Sequence, residues 1–483
     1  MWMKQPLHGG ASVTIETPNE WTEELDRWAP DFEAFHARFS HLFARREPRQ
    51  QAAKYVRGLM SDARRKNGWQ LAEVVGDERP DATQRLLYHA QWDADQVCDE
   101  LQQYIIENLG DDEGIGVVDE TGFLKKGTKS VGVKRQYTGT AGKVENSQVG
   151  VFLSYAVRGG QVFLDRRLFL PREWCADAER RAEAKVPDDV RFQSKPQQAL
   201  EMLEHAWVQG VPMRWVAGDE VYGNAPYLRA SIAAHNRLYV LAVSCHTPVW
   251  RDRPAVELPT RDTGGRSPTR VRLAEDAPPS TTVAAIVGTW PETQWKRLTV
   301  AEGEKGPRTY DWGRMRVVES RDGLPGTDAW LLARRSISDP TEIAYYLSNA
   351  PLDTSLLTLA QVAATRYTVE QCIEESKGEA GLDEYEVRHW HSWYRHITLS
   401  MMAHTWLAVT RSKAGKKTGV RPGIGRTDCS GSSTLVGGCN ASTASVKDIP
   451  SDLVALASDQ AVTGQTQSLP SAGLCSARTE SLP

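Results

Sequence analysis

The segment GIGVVDETGFLKKGTKSVG (residues 114–132) carries the pattern that best predicts the fold of this chain of 483 residues and the kind of ligand that it binds. Its apolar first half predicts a buried strand, and its Gly- and Lys-rich second half predicts a turn that follows at once. The strand ends at a carboxylate, Asp119, and the turn carries Lys125, Lys126 and Lys129. A structural turn needs an aspartate but no lysines, whereas a site that handles phosphate uses both. We therefore predict a phosphate-handling site at the end of this strand.

A second apolar strand ends in the same way, because WVAGDEVYG (residues 215–223) carries Asp219 before a Gly-containing turn. If the two strands are neighbours, their terminal carboxylates converge. A predicted helix downstream supplies a third acid, Glu370. At about 100° per residue, Glu370 lies roughly 40° and Lys377 roughly 20° from Arg366, so the three side chains share one face. Such a charged face beside apolar residues needs compensation for its carboxylate.

A divalent cation provides that compensation. Three carboxylates suit Mg²⁺ or Mn²⁺, and two such ions can clamp both oxygens of a phosphoryl displacement. Arg366 and Lys377 are then predicted to hold the phosphate, the arginine by bidentate contacts. Simpler interpretations stay open: each strand-end aspartate can be a turn residue, and Glu370 can be the partner of Arg366 in an i, i+4 ion pair. Glu120 and Glu220 are alternatives to the aspartates that precede them.

Bulk properties place limits on the class of protein. The net charge is −4 and 40% of the residues are hydrophobic, as in soluble globular proteins. No stretch is long enough to span a bilayer and no signal peptide is evident, so we expect a cytoplasmic protein that contacts no membrane. Residues 38–66 carry nine Lys or Arg against two acids. This block predicts a DNA-binding face that includes Arg45, Arg46 and Arg49, with a solvated helix surface as the alternative.

The order of predicted elements indicates a mixed α/β fold. Helices are followed by three strands, helix, strand, helix and strand, then by an irregular β-rich region, and helical spacing returns before the end. The last 71 residues contain no Phe, Tyr or Trp, and we predict that they form a disordered tail. The predicted domains are a helical DNA-binding domain (1–110), an α/β core in two parts (111–244 and 345–412), a β-rich insertion between them (245–344) and the tail (413–483).

These motifs resemble those of the DDE transposases of bacterial insertion sequences, in the cut-and-paste branch. Residues 115–156 are similar to the region of the first Asp in that branch, and WVAGDEVYG is similar to the second. The third motif of the branch is Tyr-x2-Arg-x3-Glu-x6-Lys, which Arg366, Glu370 and Lys377 match, while Ala363 stands at the Tyr position. The resemblance covers roughly residues 30–412.

The resemblance implies a ribonuclease-H-like fold interrupted by a β-rich insertion, and catalysis by Asp119, Asp219 and Glu370 with two Mg²⁺ or Mn²⁺ ions. It also implies that the N-terminal helices recognise the terminal inverted repeats and that a homodimer acts on paired ends and on target DNA, in a nucleoid-associated bacterial setting. Excision can pass through a hairpin. In relatives an insertion Trp helps to hold a flipped base, which makes Trp290 and Trp295 candidates, with core packing as the alternative.

Two other functions compete with a transposase. A DNA-binding protein that keeps the fold but no longer cuts is consistent with Ala363 and with the unusual tail. Glycoside hydrolysis also uses paired carboxylates, but it accounts for neither Lys377 nor the basic block at residues 38–66. Cleavage of duplex DNA that depends on a divalent metal separates the first alternative from the leading one.

Overall fold

The helical N-terminal region predicted from the sequence is confirmed. The computed structural model describes residues 18–258, 270–303 and 306–418, so residues 419–483 of the predicted tail lie outside the described residues. The first described elements are the helices α1 (Pro18–Arg38), α2 (Arg46–Met60), α3 (Gly68–Val74), α4 (Asp81–Tyr88) and α5 (Ala94–Leu109), with a short 3-10 helix at Ser40–Leu42.

The predicted strands and helices of the central region appear in the predicted order, together with one further strand and three short helices that were not predicted. They are β1 (Gly114–Leu124), β2 (Lys134–Thr138), β3 (Lys143–Val157), β4 (Gly160–Leu168), α6 (Arg172–Ala176), α7 (Ala178–Glu183), α8 (Lys195–Val208), β5 (Met213–Gly218), α9 (Glu220–Gly223), α10 (Pro226–Ala234) and β6 (Leu238–Val243). The alternating pattern of residues 148–171 with Gly159-Gly160 at its centre predicts a hairpin, and β3 and β4 form it, with Val157 paired with Gly160. The period-2 pattern and the Gly-Gly turn were therefore sufficient to locate this hairpin.

Strands dominate the next region and two long helices end the described chain. The elements are β7 (Pro248–Trp250), β8 (Val256–Glu257), β9 (Arg272–Leu273), β10 (Thr281–Thr282), α11 (Val283–Val287), a 3-10 helix at Glu292–Gln294, β11 (Lys296–Gly303), β12 (Gly306–Arg321), β13 (Leu324–Arg335), β14 (Ile343–Ser348), α12 (Leu356–Ala380) and α13 (Trp390–Thr418).

Twelve strands of the described residues form one mixed sheet, which confirms the mixed α/β class. At its centre the strand order is β4-β3-β1-β5-β6, with antiparallel pairing from β4 to β1 and parallel pairing from β1 to β6. Strands β14, β13 and β12 continue the sheet beyond β6 in antiparallel pairing. The β-rich region thus covers the edge that β6 would otherwise expose. The predicted domain boundaries stay a prediction.

The N-terminal helices pack on the last helix, so that the two ends of the described chain share one apolar core. The Phe32 ring contacts the edge of Trp406 at a centroid distance of 5.5 Å. The buried hydroxyl of Tyr55 and Nδ1 of His396 are hydrogen-bonded at 2.8 Å. No helix within residues 18–258, 270–303 or 306–418 combines the length and the apolar character needed to cross a bilayer.

Helix α12 lies across the sheet and carries the face predicted from the helical wheel. Val362, Val369 and Ile373 are buried, as expected for side chains that press the helix against the strands. The helix ends at Gly381, whose positive φ of 61° favours glycine. A Cβ there would also lie 2.8 Å from Cδ of Lys66, so the N-terminal region approaches this end of α12 closely.

Candidate active site

Asp119 and Asp219 lie side by side where the parallel pairing of β1 and β5 ends. The prediction that the first strand ends at Asp119 is wrong, because β1 continues to Leu124. Strands β1 and β5 are parallel neighbours in which Val118 pairs with Gly218, so Asp119 and Asp219 each follow the last paired residue. Gly218 permits this close approach, because a Cβ there would lie 2.8 Å from Cγ2 of Val118. The Asp219 carboxylate accepts a hydrogen bond from the backbone N–H of Val221 at 2.9 Å and so caps α9.

Helix α12 brings Arg366 and Glu370 to the same place. The guanidinium of Arg366 lies 3.8 Å from a carboxylate oxygen of Asp119 and 3.7 Å from one of Glu370. Only 13% of the Asp119 side chain is exposed, whereas 55% of the Glu370 side chain is exposed. Arg366 therefore bridges a nearly buried acid and an exposed acid from segments that are about 250 residues apart in the chain.

Burial and mutual repulsion change the acidity of the aspartates. Desolvation raises the pKa of Asp119 to about 7; the Asp219 carboxylate adds to this rise, and Arg366 opposes it. The pKa of Asp219 is also raised, chiefly by burial and then by the charge of Glu120. Two adjacent acids with raised pKa values destabilise each other when both are ionised, so this position favours a bound cation.

Asp119, Asp219 and Glu370 do not form a compact group of three metal ligands in this structure. Within the described part of the chain, no three His, Cys, Asp or Glu side chains are grouped closely enough to hold an ion. Arg366 supplies positive charge between Asp119 and Glu370. The chemistry of the donors nevertheless fits Mg²⁺ or Mn²⁺, because the buried pair Asp119 and Asp219 offers hard carboxylate oxygens beside an acid on the adjoining helix.

The neighbouring glutamates differ in their freedom to bind an ion. The Glu120 carboxylate accepts hydrogen bonds from Lys195 Nζ and from the hydroxyl of Tyr222, both at 2.7 Å. These contacts occupy Glu120 and favour Asp119 as the ligand of the pair. Glu220 is exposed and makes no ion pair in the described ranges, so its position offers no comparable site.

Lys377, the third residue of the predicted face, points at β1 as well. Its ammonium donates a hydrogen bond to Oγ1 of Thr121 at 2.9 Å and lies 3.4 Å from Oγ1 of Thr140. Burial lowers the pKa of Lys377, opposed by the charge of Asp383. Lys377 is thus held two residues beyond Asp119 along the strand, where it can meet a phosphate without a carboxylate partner of its own in the described residues.

The three lysines after β1 have different environments. Lys125 is largely buried: its Nζ donates to the backbone carbonyl of Tyr385 at 3.0 Å and lies 3.5 Å from the centre of that ring. Burial lowers the pKa of Lys125 to about 8. Lys129 forms an exposed ion pair with Glu183 at 2.7 Å. Lys126 is exposed and unpaired among the described residues, which leaves it the most available of the three for a phosphate.

Three of the nine cations in the basic block at residues 38–66 are paired with acids of the described residues. Ion pairs join Arg38 to Glu100 and Glu107, Lys54 to Asp77, and Arg57 to Glu33. Arg45 and Arg46 are exposed at the start of α2, and Arg49 donates to the backbone carbonyl of Phe43 at 3.4 Å. The block therefore combines three ion-paired cations with a larger number that form no ion pair in the described ranges, Arg45 and Arg46 among them.

Sequence reasoning missed a cluster of arginines around Tyr367. The guanidinium groups of Arg366 and Arg308 each lie 5.3 Å from the centre of the Tyr367 ring. Arg334 donates to the Tyr367 hydroxyl and lies 4.6 Å from the Tyr310 ring. Neither Arg308 nor Arg334 forms an ion pair with a described carboxylate. Both belong to β12 and β13, and nothing local in those strands predicts that they reach α12.

Trp290 and Trp295 pack within the β-rich region. Their ring centres are 5.4 Å apart, and only 8% of Trp290 is exposed. A Cβ at Gly313 would lie 2.5 Å from the Trp290 ring, so the strand passes directly against it. The guanidinium of Arg335 covers Trp295 at 4.4 Å. In this structure both indoles have the packing role that was the alternative to base binding.

Comparison with known proteins identifies the family to which the chain belongs. The family model described as "DDE superfamily endonuclease" matches residues 38–307, which include Asp119 and Asp219 and end before α12. The chain is 27% identical over 216 residues to the "Probable transposase for insertion sequence element IS701" of Microchaete diplosiphon. That alignment covers 44% of this chain and 50% of the relative, so the chain spans about half the length of the curated relative it matches.

Two solved structures overlap partially with this one. A piggyBac transposase synaptic complex with hairpin DNA, 10% identical, aligns over 71% of this chain and 55% of that chain with a TM-score of 0.33. The NurA nuclease from Sulfolobus solfataricus, also 10% identical, aligns over 60% of this chain and 86% of that chain with a TM-score of 0.24. Scores this low establish no shared fold. The family match, which spans more than half of the chain, places this protein in the DDE superfamily of endonucleases.

Proposed function

We propose that this protein is an insertion-sequence transposase that cleaves DNA strands at element ends and transfers them to a target, with two divalent cations per active site. The observation that carries the proposal is that Asp119 and Asp219 lie side by side where the parallel pairing of β1 and β5 ends, with raised pKa values and with Arg366 and Glu370 beside them. The strand order β4-β3-β1-β5-β6, in which only β1, β5 and β6 run parallel, supports a ribonuclease-H-like core.

Each side chain has a specific part in the proposed site. Asp119, Asp219 and Glu370 would hold Mg²⁺ or Mn²⁺, which supplies an activated oxygen nucleophile and charge stabilisation to phosphoryl transfer. Arg366 provides a planar guanidinium that suits a phosphate better than a point charge does. Lys377 of α12 adds a second cation, which contacts β1 at Thr121, two residues beyond Asp119. Because these groups are partly buried, their attraction for a phosphate is screened less than that of surface charges.

The proposed partners are duplex DNA with terminal inverted repeats, a second duplex as target, and a second copy of the chain on paired ends. The relative's name, a probable transposase of an insertion sequence, supports an element-end substrate. Arg45, Arg46, Arg49, Lys125, Lys126 and Lys129 stay proposed DNA contacts. Of these, Lys125 would act through its buried charge rather than by direct contact, since its ammonium is occupied by Tyr385.

Replacing Glu370 by Gln is expected to lower the rate of metal-dependent strand cleavage at least about a hundredfold, because an amide is a far weaker ligand for a hard cation than a carboxylate. The substrate is a duplex that carries the inverted repeats flanking the coding region. Glu374→Gln is the matched control, since Glu374 is exposed one turn further along α12 and forms no described ion pair. An equal loss of cleavage rate in both variants would show that the rate depends on the net charge of α12 and not on metal binding by Glu370.

The second candidate function is a DNA-binding protein that no longer cuts, and the open arrangement of the three acids favours it. The same assay separates the two functions. Binding of the end duplex by the wild-type protein without any nicking in Mg²⁺ or Mn²⁺ would support the silent protein and exclude the transposase.

The arginine cluster gives a further expected result. Arg334→Lys should weaken binding of the end duplex about tenfold. A lysine cannot both donate a hydrogen bond to the Tyr367 hydroxyl and make bidentate contacts with a phosphate. Arg316→Lys is the control: Arg316 also lies over an aromatic ring, at 5.1 Å from the Trp330 centre, without a described ion pair. Fluorescence anisotropy with a labelled end duplex measures both affinities. An unchanged affinity for Arg334→Lys would remove this cluster from the DNA path.

A further inference from the structure

A cavity of about 670 Å³ lies where three segments that are distant in sequence meet. The segments are the turn between α2 and α3, the lysine turn after β1, and the connection from α12 to α13. A second cavity of about 350 Å³ adjoins it and is lined by Arg64, Arg65, Asn67 and Gln70. Arg65 and Asn67 line both cavities, so the two adjoin, and we refer to them together as the groove.

The charges in this groove are arranged in two layers. In the inner layer Glu384 accepts a hydrogen bond from the backbone N–H of the buried Lys66 at 2.7 Å. Asp383 and Glu386 also line the groove; both are exposed, and both lie near the ammonium of Lys125. These acids therefore compensate the charges of Lys66 and Lys125.

The outer layer consists of cations without partners. Arg64, Arg65, Lys126 and Arg388 are exposed, and none of them forms an ion pair with a carboxylate of the described residues. Four unpaired cations from three segments on one groove repel each other, so the groove favours a polyanion.

The outer cations are held in place by the inner layer. Lys66, adjacent to Arg65, is only 5% exposed, and its Nζ donates to the backbone carbonyls of Gly378 and Glu379 at 3.1 and 2.7 Å. These carbonyls belong to the last turn of α12, whose negative dipole end attracts the ammonium. The turn that carries Arg64 and Arg65 is thus fastened to the helix that carries Glu370.

The groove continues from the candidate active site along β1. Asp119 and Leu124, which lines the cavity, are five residues apart on that strand, a distance of roughly 17 Å at 3.3 Å per residue. Lys377 lies between them, against Thr121. A duplex that enters the active site and follows this line meets the groove roughly five base pairs from the reacting bond, at 3.4 Å per base pair.

From these observations we propose that the groove lined by Arg64, Arg65, Lys126 and Arg388 binds the phosphate backbone of duplex DNA about five base pairs from the cleaved bond. This inference rests on the proposed function. It assigns the turn between α2 and α3, rather than only the start of α2, to DNA binding. Double-stranded DNA fits better than an acidic protein, because the cations form a line that leads to a site for phosphoryl transfer.

The full-length protein and a mixed-sequence duplex of about 40 base pairs test this, because phosphate contacts do not depend on sequence. Fluorescence anisotropy gives the Kd between about 50 and 200 mM KCl. Arg64→Glu/Arg65→Glu should weaken binding at least about tenfold and reduce the slope of log K against log salt by about two, one for each lost phosphate contact. Lys126→Glu/Arg388→Glu, from the other walls, should act in the same direction.

Arg79→Glu/Arg85→Glu is the matched control, with the same charge change at exposed arginines of the N-terminal region that line neither cavity. It should leave the Kd within about twofold. If the wild type binds but both groove variants equal this control, the groove is not a DNA contact and the proposed function stands. Two other results would overturn the inference. One is weaker DNA binding with an unchanged slope of log K against log salt, and the other is groove variants that weaken the binding of an RNA duplex but not that of the DNA duplex. A wild type that binds no duplex would instead refute the proposed function.

Discussion

Asp119→Asn should abolish metal-dependent cleavage of the end duplex, with a loss of at least roughly a thousandfold in rate, while the protein stays folded. The expectation follows from position: Asp119 lies beside Asp219 on the adjacent strand and within 3.8 Å of Arg366. The isosteric amide keeps the shape of the site but removes the negative charge that a divalent cation requires. Single-turnover cleavage in Mg²⁺ and Mn²⁺ measures the loss.

Glu220→Gln provides the control for this result. Glu220 is exposed, follows Asp219 directly and forms no ion pair among the residues of the structure, so its loss removes a similar charge from the same edge of the sheet. The control should retain cleavage within about threefold, as surface substitutions away from special features usually do. Wild-type activity in Asp119→Asn, with circular dichroism unchanged, would contradict the assignment of Asp119.

The second large effect concerns stability and pH in the absence of metal. Burial raises the pKa of Asp119 from its ordinary 3.8 to about 7, so the folded protein holds a proton that the unfolded chain has lost. The contribution of Asp119 to stability is therefore most favourable below pH 3.8 and is lost as the pH rises to about 7. The full difference of about three pH units corresponds to roughly 4 kcal/mol.

Asp119→Asn should accordingly be more stable than the wild type at pH 8 in EDTA, by up to roughly 4 kcal/mol, a figure that already includes the opposing charge of Arg366. The advantage should shrink toward zero as the pH falls to 4. Urea denaturation at several pH values measures it, and Mn²⁺ at pH 8 should stabilise the wild type but not the variant. A stability difference that does not change with pH would mean that the Asp119 carboxyl has an ordinary pKa.

Local pattern was sufficient for much of the fold. The apolar run before Asp119 and the one before Asp219 predicted β1 and β5, and the Gly159-Gly160 pair predicted the β3–β4 hairpin. The 3.6-residue period placed Arg366, Glu370 and Lys377 on one face of α12, and all three contact β1 residues or each other. Such features depend on residues close in sequence, so the sequence alone can specify them.

The sequence did not show which charged side chains are paired in the folded protein. The lysine turn after Asp119 looked uniform, yet Lys125 is buried against Tyr385, Lys129 is paired with Glu183, and Lys126 alone is free of described partners. These environments depend on segments that arrive from elsewhere in the chain. Arg366 is a second example. It lies between Asp119 and Glu370, and the three predicted metal ligands do not form a compact group in this structure.

The sequence by itself determined the order of the longer elements and the face of α12 that carries Arg366, Glu370 and Lys377, because hydrophobic period and turn chemistry act over a few residues. Only the tertiary structure decided that β14 pairs with β6 and that α13 packs on the N-terminal helices. It also decided which cations stay unpaired beside the site. Pairing and neutralisation are contacts between residues up to hundreds of positions apart, and no local pattern encodes them.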